Sequence, residues 1–162
     1  MPVTLPARLP SPLRLVARPE ALAFFDTQSM HLPRPMTPLQ AWQHLAACPL
    51  PGFALAFRLR DAISGLFGVK RLGGFKGRLP ESVVPGDRLE FFLVEEVGPG
   101  LMVLTECDRH LDVMTTITVE GCRLSVTSSV VTHNLFGRLY MLPVAPAHRL
   151  IVWLMMRRAA RG

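Results

Sequence analysis

Charge is scarce in this sequence. Of its 162 residues, 18 are Lys or Arg and 12 are Asp or Glu, while 49% are hydrophobic. Mean hydropathy is +0.30. A disordered chain shows the opposite balance, so these values predict one packed domain with a sizeable core. Cysteine is scarcer still. Cys48, Cys107 and Cys122 are widely spaced and form no CxxC, which excludes a disulfide scaffold and suits buried thiols in a reduced, cytoplasmic protein. Long apolar runs are missing too. The longest, "LIVWLMM" at 150–156, falls far short of the ~20 residues that cross a bilayer. The opening "MPVTLPARLPSPLRL" has Pro through its apolar part and lacks the order of a signal peptide. No membrane span is expected. Two catalytic signatures are also absent: there is no GxSxG and no GxGxxG, and "GGFKG" (73–77) lies in a loop.

The net charge of +6 raises nucleic acid as a partner, but its distribution argues against one. Nine of the twelve acidic residues fall between Glu81 and Glu120, and the bases gather in "KRLGGFKGR" (70–78) and "RRAAR" (157–161). Aromatics, 7% of the chain, do not interleave with the bases as a single-strand platform requires. The basic loop with its glycines could receive a phosphate or carboxylate headgroup; a solvated loop explains it better.

What is present is a clear order of elements. Residues 1–20 hold five prolines and read as an irregular arm, leaving 21–162 as the domain. "LAFFDTQSMHL" (22–32) is strand-like. Thr37 followed by Pro38 reads as an N-cap and first helical residue, opening "PLQAWQHLAA". A second helix, "FALAFRLRDAISGLF", follows, with Arg58 and Arg60 on it. The period then changes. "DRLEFFLVEEV" reads as a strand, "GPG" as a turn, and "LMVLTE", "HLDVMTTITVE" and "RLSVTSSVVTHN" as three more strands. The chain closes with a helix from about Pro146 to Ala160, on which Leu150, Ile151, Leu154, Met155 and Arg158 share a face.

Gly121 at the first of two loop residues suits a type II′ hairpin turn. The resulting register pairs Val119 with Leu124, Ile117 with Val126 and Val113 with Val130, an apolar face. The opposite face pairs Glu120 with Arg123, Thr118 with Ser125 and Thr116 with Thr127. A slip of one residue would mix the two faces. The same register brings "TECDRHLD" (105–112) beside His133. Asp108, His110, Asp112 and His133, with Cys107, could hold a metal ion. They fall on the face opposite Leu111 and Val113, which predicts a solvated hairpin rim and no metal.

Several stretches resemble a known family. They are "RLRDAISGLFGVK" (58–70), "DRHLDV" (108–113) and "VTSSVVTHNLFGRLYMLPVAPAHRLIV" (126–152), with the basic end of the last helix. The string Asn134, Gly137, Arg138, Tyr140, Pro146, His148, Arg149 is the most specific part. Together they resemble an uncharacterised bacterial family, domain of unknown function 2867, within the START and polyketide-cyclase-like superfamily. Its members also occur fused behind short-chain-dehydrogenase-like domains. The proline-rich arm departs from the pattern, as does Ala147, where an aromatic is expected. The resemblance implies an α+β helix-grip fold, a curved antiparallel sheet wrapped around a long C-terminal helix. It implies no particular activity.

In that layout the inner sheet face carries Leu111, Val113, Ile117, Val126 and Val130, opposite Leu150, Ile151, Leu154 and Met155 of the helix. Thr115, Ser128 and Thr132 are smaller and hydroxylated, so a cavity is expected there, with Tyr140 and His148 supplying its polar groups. The expected function is binding of a small apolar molecule, without cofactor. The alternatives are a cyclase, dehydratase or isomerase using His148 or Tyr140 as acid or base, and a protein-interaction module. The arm is expected to lie across the domain or a partner subunit, giving a homodimer.

Overall fold

The structure is a computed structural model that describes Pro6 and residues 9–47 and 80–160. The second helix, Arg58, Arg60, Cys48 and the basic loop lie outside the described residues. After a short 3-10 turn (Pro19–Ala21), the elements are β1 (Phe24–His31), α1 (Pro38–Ala46), β2 (Arg88–Leu89), β3 (Phe92–Gly98), β4 (Leu101–Cys107), β5 (Leu111–Glu120), β6 (Arg123–Thr132) and α2 (Leu135–Ala159). The six strands form one antiparallel sheet in the order β1-β6-β5-β4-β3-β2, so the fold is α+β with a long C-terminal helix.

Local chemistry explains most of these boundaries. α1 starts at a complete capping box: Thr37 Oγ1 accepts from Gln40 N, and Gln40 Oε1 accepts from Thr37 N. Both otherwise orphaned donors of the first turn are thereby satisfied. At the β5–β6 turn Gly121 has φ +59°, and the pairs are those the side-chain pattern predicts, from Glu120–Arg123 through Val113–Val130. The stretch 87–97 differs from the sequence reading. It is not one strand, because Glu90 takes φ +60° and folds Arg88–Leu89 back onto Phe92–Leu93. A short polar residue or Gly normally marks such a turn, so Glu gives no signal in the sequence.

The outer face of the sheet corrects a second expectation. Thr116, Thr118, Ser125 and Thr127 are only 1–3% exposed, although their pattern predicts a solvent face. Residues of the arm lie across them. Thr116 Oγ1 donates to the carbonyl of Arg14 (2.7 Å), Val16 N donates to Ser129 Oγ (3.0 Å), and the Arg14 guanidinium pairs with Glu96 (3.1 Å). Hydroxyls left between arm and sheet pair with each other, Thr27 with Thr127 and Ser29 with Ser125, both at 2.8 Å. Burying hydroxyls is tolerable only with such partners.

α2 also differs from expectation. It starts at Leu135 and runs through Pro143 and Pro146. Each proline removes a backbone donor and crowds the carbonyl four residues earlier; both lie on the exposed side, where those carbonyls can reach water and outward convexity suits a curved helix. Leu150, expected to face inward, is exposed instead. Met141, with Tyr140, Val144 and Ala145, packs on Phe24 and Val130. Met156 and Ala159, with Val152 and Met155, join the main core of Ile117, Val126, Met102 and Leu104. Among the described residues α2 is long and apolar enough, by length and composition, to cross a membrane; run-counting misses this because Arg149 and Arg157 bound the longest run.

The arm contact can be measured. Thr116→Val should cost about 1 kcal/mol, the usual net worth of one hydrogen bond, lowering the melting temperature by roughly 2–4 °C for a chain of this size. In a chain lacking residues 1–18 the same substitution should cost nothing. Equal losses in both backgrounds would show that the arm bond is not the cause.

Candidate functional site

The register of β1 on β6 and of β5 on β4 lays the inner face out in rows across the sheet. One row is Phe24, Val130, Val113 and Glu106. The next is Asp26, Ser128, Thr115 and Leu104. The third is Gln28, Val126, Ile117 and Met102. Asp26, Ser128 and Thr115 thus form a polar stretch between the apolar middles of the other two rows, and it lies between the two hydrophobic clusters. Thr115 and Ser128 are buried, with their hydroxyls 3.4 Å apart.

The inward stripe of α2 runs Met141, Val144, His148, Val152, Met156 and Ala159, at helical spacing. His148 therefore falls between the residues of the two clusters, at the level of the polar row. Its ring meets Phe24 edge-on, with centroids 5.6 Å apart. Its Nε2 is buried and has no hydrogen-bond partner among the described residues. Burial lowers the imidazole pKa; the Asp26 carboxylate opposes that shift and the neighbouring Arg149 reinforces it. The result is a neutral imidazole in a largely apolar setting.

Asp26 is held from the sheet edge. It accepts from Gln28 Nε2 (2.8 Å) and faces Arg149 Nε at 3.5 Å. Arg149 also donates to the Phe25 carbonyl and lies over the Phe24 ring, while Gln28 reaches the Arg149 carbonyl. An open groove of about 580 Å³ runs along this junction, lined by Gln28, Pro146, Arg149, Leu150 and Trp153. Thr115 and Ser128 are thus brought together, with His148 above their row. Tyr140 lies in the second cluster, stacked on Phe136. Thr132 lies apart, against the start of α2.

Asp26, Gln28 and Arg149 belong to the site although sequence reasoning did not place them there. Arg149 had a signal, as part of the family string. Asp26 had a weaker one, a lone carboxylate in an apolar strand.

The rim residues do not converge. Asp108 Oδ1 accepts from the backbone N–H of His110 and Leu111, building the turn. His110 turns toward α2, with Nδ1 about 3.0 Å from Asn134 Nδ2 and its ring against Phe136. Asp112 and His133 remain together on the outer side, 3.0 Å apart, with Cys107 beside Asp112. Among the described residues no three His, Cys, Asp or Glu side chains group to hold a metal. Burial, then the adjacent Asp112 carboxylate, pushes the Cys107 thiol up to about 11, away from reactivity.

This turn instead seats α2. Asn134 caps the helix by accepting from Gly137 N (3.0 Å), and its Nδ2 donates to the Arg109 carbonyl (3.0 Å). Gly137 packs so closely on the His110 carbonyl that no Cβ would fit between them. Asn134 and Gly137, the first members of the family string, are thereby explained as architecture.

An antiparallel sheet with a long C-terminal helix across a polar row in its inner face defines an α+β domain. The chain belongs to the family described as "Protein of unknown function (DUF2867)", whose model matches residues 19–155. No curated protein matches it.

Two outcomes follow from this geometry. Gly137→Ala should destabilise the fold by several kcal/mol, because backbone rather than a movable side chain opposes the methyl group, whereas Asn134→Ala should cost about 1–2 kcal/mol. Urea unfolding of both variants tests the order. The second concerns pH. A His whose folded pKa is depressed leaves the unfolded chain binding more protons between the folded value and the unfolded ~6.5. Stability is therefore full above about pH 6.5 and falls as pH drops through that window. His148→Gln should flatten this slope; an unchanged slope would remove His148 as its source.

Proposed function

We propose that this is a helix-grip protein that holds a small, largely apolar molecule between its sheet and α2, with one polar group of that molecule bound at His148. One observation carries the reading: His148 Nε2 is buried and unpartnered at the point where a polar row interrupts two apolar clusters. A buried polar atom without a partner costs about 1–3 kcal/mol. A ligand hydroxyl or carbonyl that completes it recovers this energy on binding. Apolar walls with a few convergent polar groups are the usual composition of a small-molecule site. The groove at Gln28, Arg149 and Leu150 supplies open space beside it. The reading calls on no metal or cofactor.

A second reading has one observation in its favour. Burial lowers the His148 pKa, and a neutral imidazole can accept a proton from a bound substrate, as an isomerase, cyclase or dehydratase requires. Tyr140 is less suited to share that role, since it lies in the second cluster.

Native mass spectrometry of the purified chain should find a co-purifying molecule, and the apolar fluorophore cis-parinarate should bind. His148→Phe should weaken binding of a carbonyl- or hydroxyl-bearing ligand roughly tenfold, the worth of about one hydrogen bond, without lowering the unfolding midpoint. Thr115→Val should act in the same direction. A bare chain that binds no apolar probe would overturn the proposal. Turnover of the ligand, lost in His148→Phe, would favour the enzyme.

A further inference from the structure

α2 turns a second apolar face outward. Leu135, Leu139, Leu142, Leu150 and Trp153 are 44–70% exposed. Their spacing, with exposed Pro146 between them, keeps them on one stripe along the whole helix. Helices of water-facing domains carry polar residues there. In the most apolar 18-residue window of α2 the mean hydropathy is 1.4, yet only 11% of it is buried. The charges on α2 itself have one sign. No Asp or Glu follows Glu120 in the sequence. Arg138 and Arg157 are exposed, as is Arg158, and the Arg157 guanidinium lies 4.5 Å over the Trp153 ring.

We propose that this face docks in the plane of an anionic lipid bilayer. Charge decides between the possible occupants. Two copies of α2 packed antiparallel about Pro146 would bring Arg138 of each toward the basic end of the other, with no carboxylate on either helix to offset it. Anionic headgroups supply the missing opposite charge, and the leucines with Trp153 enter the headgroup and acyl boundary. Tryptophan and arginine at the edge of an apolar surface suit that boundary. The helix lies on the bilayer and does not span it, because Met141, Met156 and Ala159 are buried in the two clusters. In-plane docking leaves that packing intact. The ligand reading rests on His148, which turns the other way, although the groove beside it shares Pro146, Leu150 and Trp153 with this face.

The test is co-sedimentation of the full chain with phosphatidylcholine vesicles, with and without phosphatidylglycerol, at low and high salt. Binding to the anionic vesicles should exceed binding to neutral ones by tenfold or more, on the order of the attraction of two or three arginines, and should fall at high salt. Trp153 fluorescence should shift to the blue on the anionic vesicles, a shift lost in Trp153→Phe. The double substitution Leu139→Glu with Leu142→Glu, at exposed positions, should abolish binding with the melting temperature unchanged. His148→Phe should bind vesicles like the wild type, so failure of the ligand reading leaves this result standing. No binding to either vesicle, or equal binding to both, overturns the proposal. A dimer in light scattering that the two glutamates convert to a monomer also overturns it and assigns the face to a second copy.

Discussion

The close approach of Gly137 to the His110 carbonyl sets the rest of the molecule. A helix can rotate about its axis until something fixes its phase, and here a backbone contact does so one turn after the Asn134 cap. From that point the 3.6-residue period decides every later side chain. Met141 falls on Phe24 and Val130, His148 falls over the polar row, and Met156 and Ala159 enter the main core. The same rotation sends Leu139, Leu142, Leu150 and Trp153 outward. The interior site and the exposed apolar face are thus two consequences of one contact.

The sheet is covered twice, by opposite chemistries. On the inner side apolar rows meet a mostly apolar helix, and burial of that surface stabilises the pair without directional bonds. On the outer side threonine and serine hydroxyls meet the backbone of residues 14–16 through two hydrogen bonds. β-Branched threonine serves both needs, since it favours strands and carries a donor. The inner polar row is less well provided. Asp26 has Gln28 and Arg149, Thr115 and Ser128 have each other at a long 3.4 Å, and His148 Nε2 has nothing. That unevenness separates a candidate site from ordinary core.

The high hydrophobic content has a divided explanation. Much of it fills the two clusters, and part of it lies on the outer stripe of α2. Composition counts the two alike, because hydropathy carries no information about which side of a helix meets a neighbour.

The sequence by itself determined whatever depends on neighbours within a few residues. The Thr37 cap, the Gly121 turn and the full register of β5 on β6 were legible, because turn chemistry and period-two alternation are local. That register also made Thr115 and Ser128 neighbours on the inner face. The β2–β3 turn was not legible, since Glu90 bears no mark of positive φ. Nor was the start of α2, where two prolines suggest an end rather than a middle. Tertiary structure alone decided three things: that the hydroxyl face is buried, that Asp26 lines up with Ser128 and Thr115, and that Met156 and Ala159 rather than Leu150 point inward. Each joins segments about 100 residues apart or sets the phase of a helix apolar on most sides. Side-chain periodicity states that a residue has a face, and only packing across the chain states what that face meets.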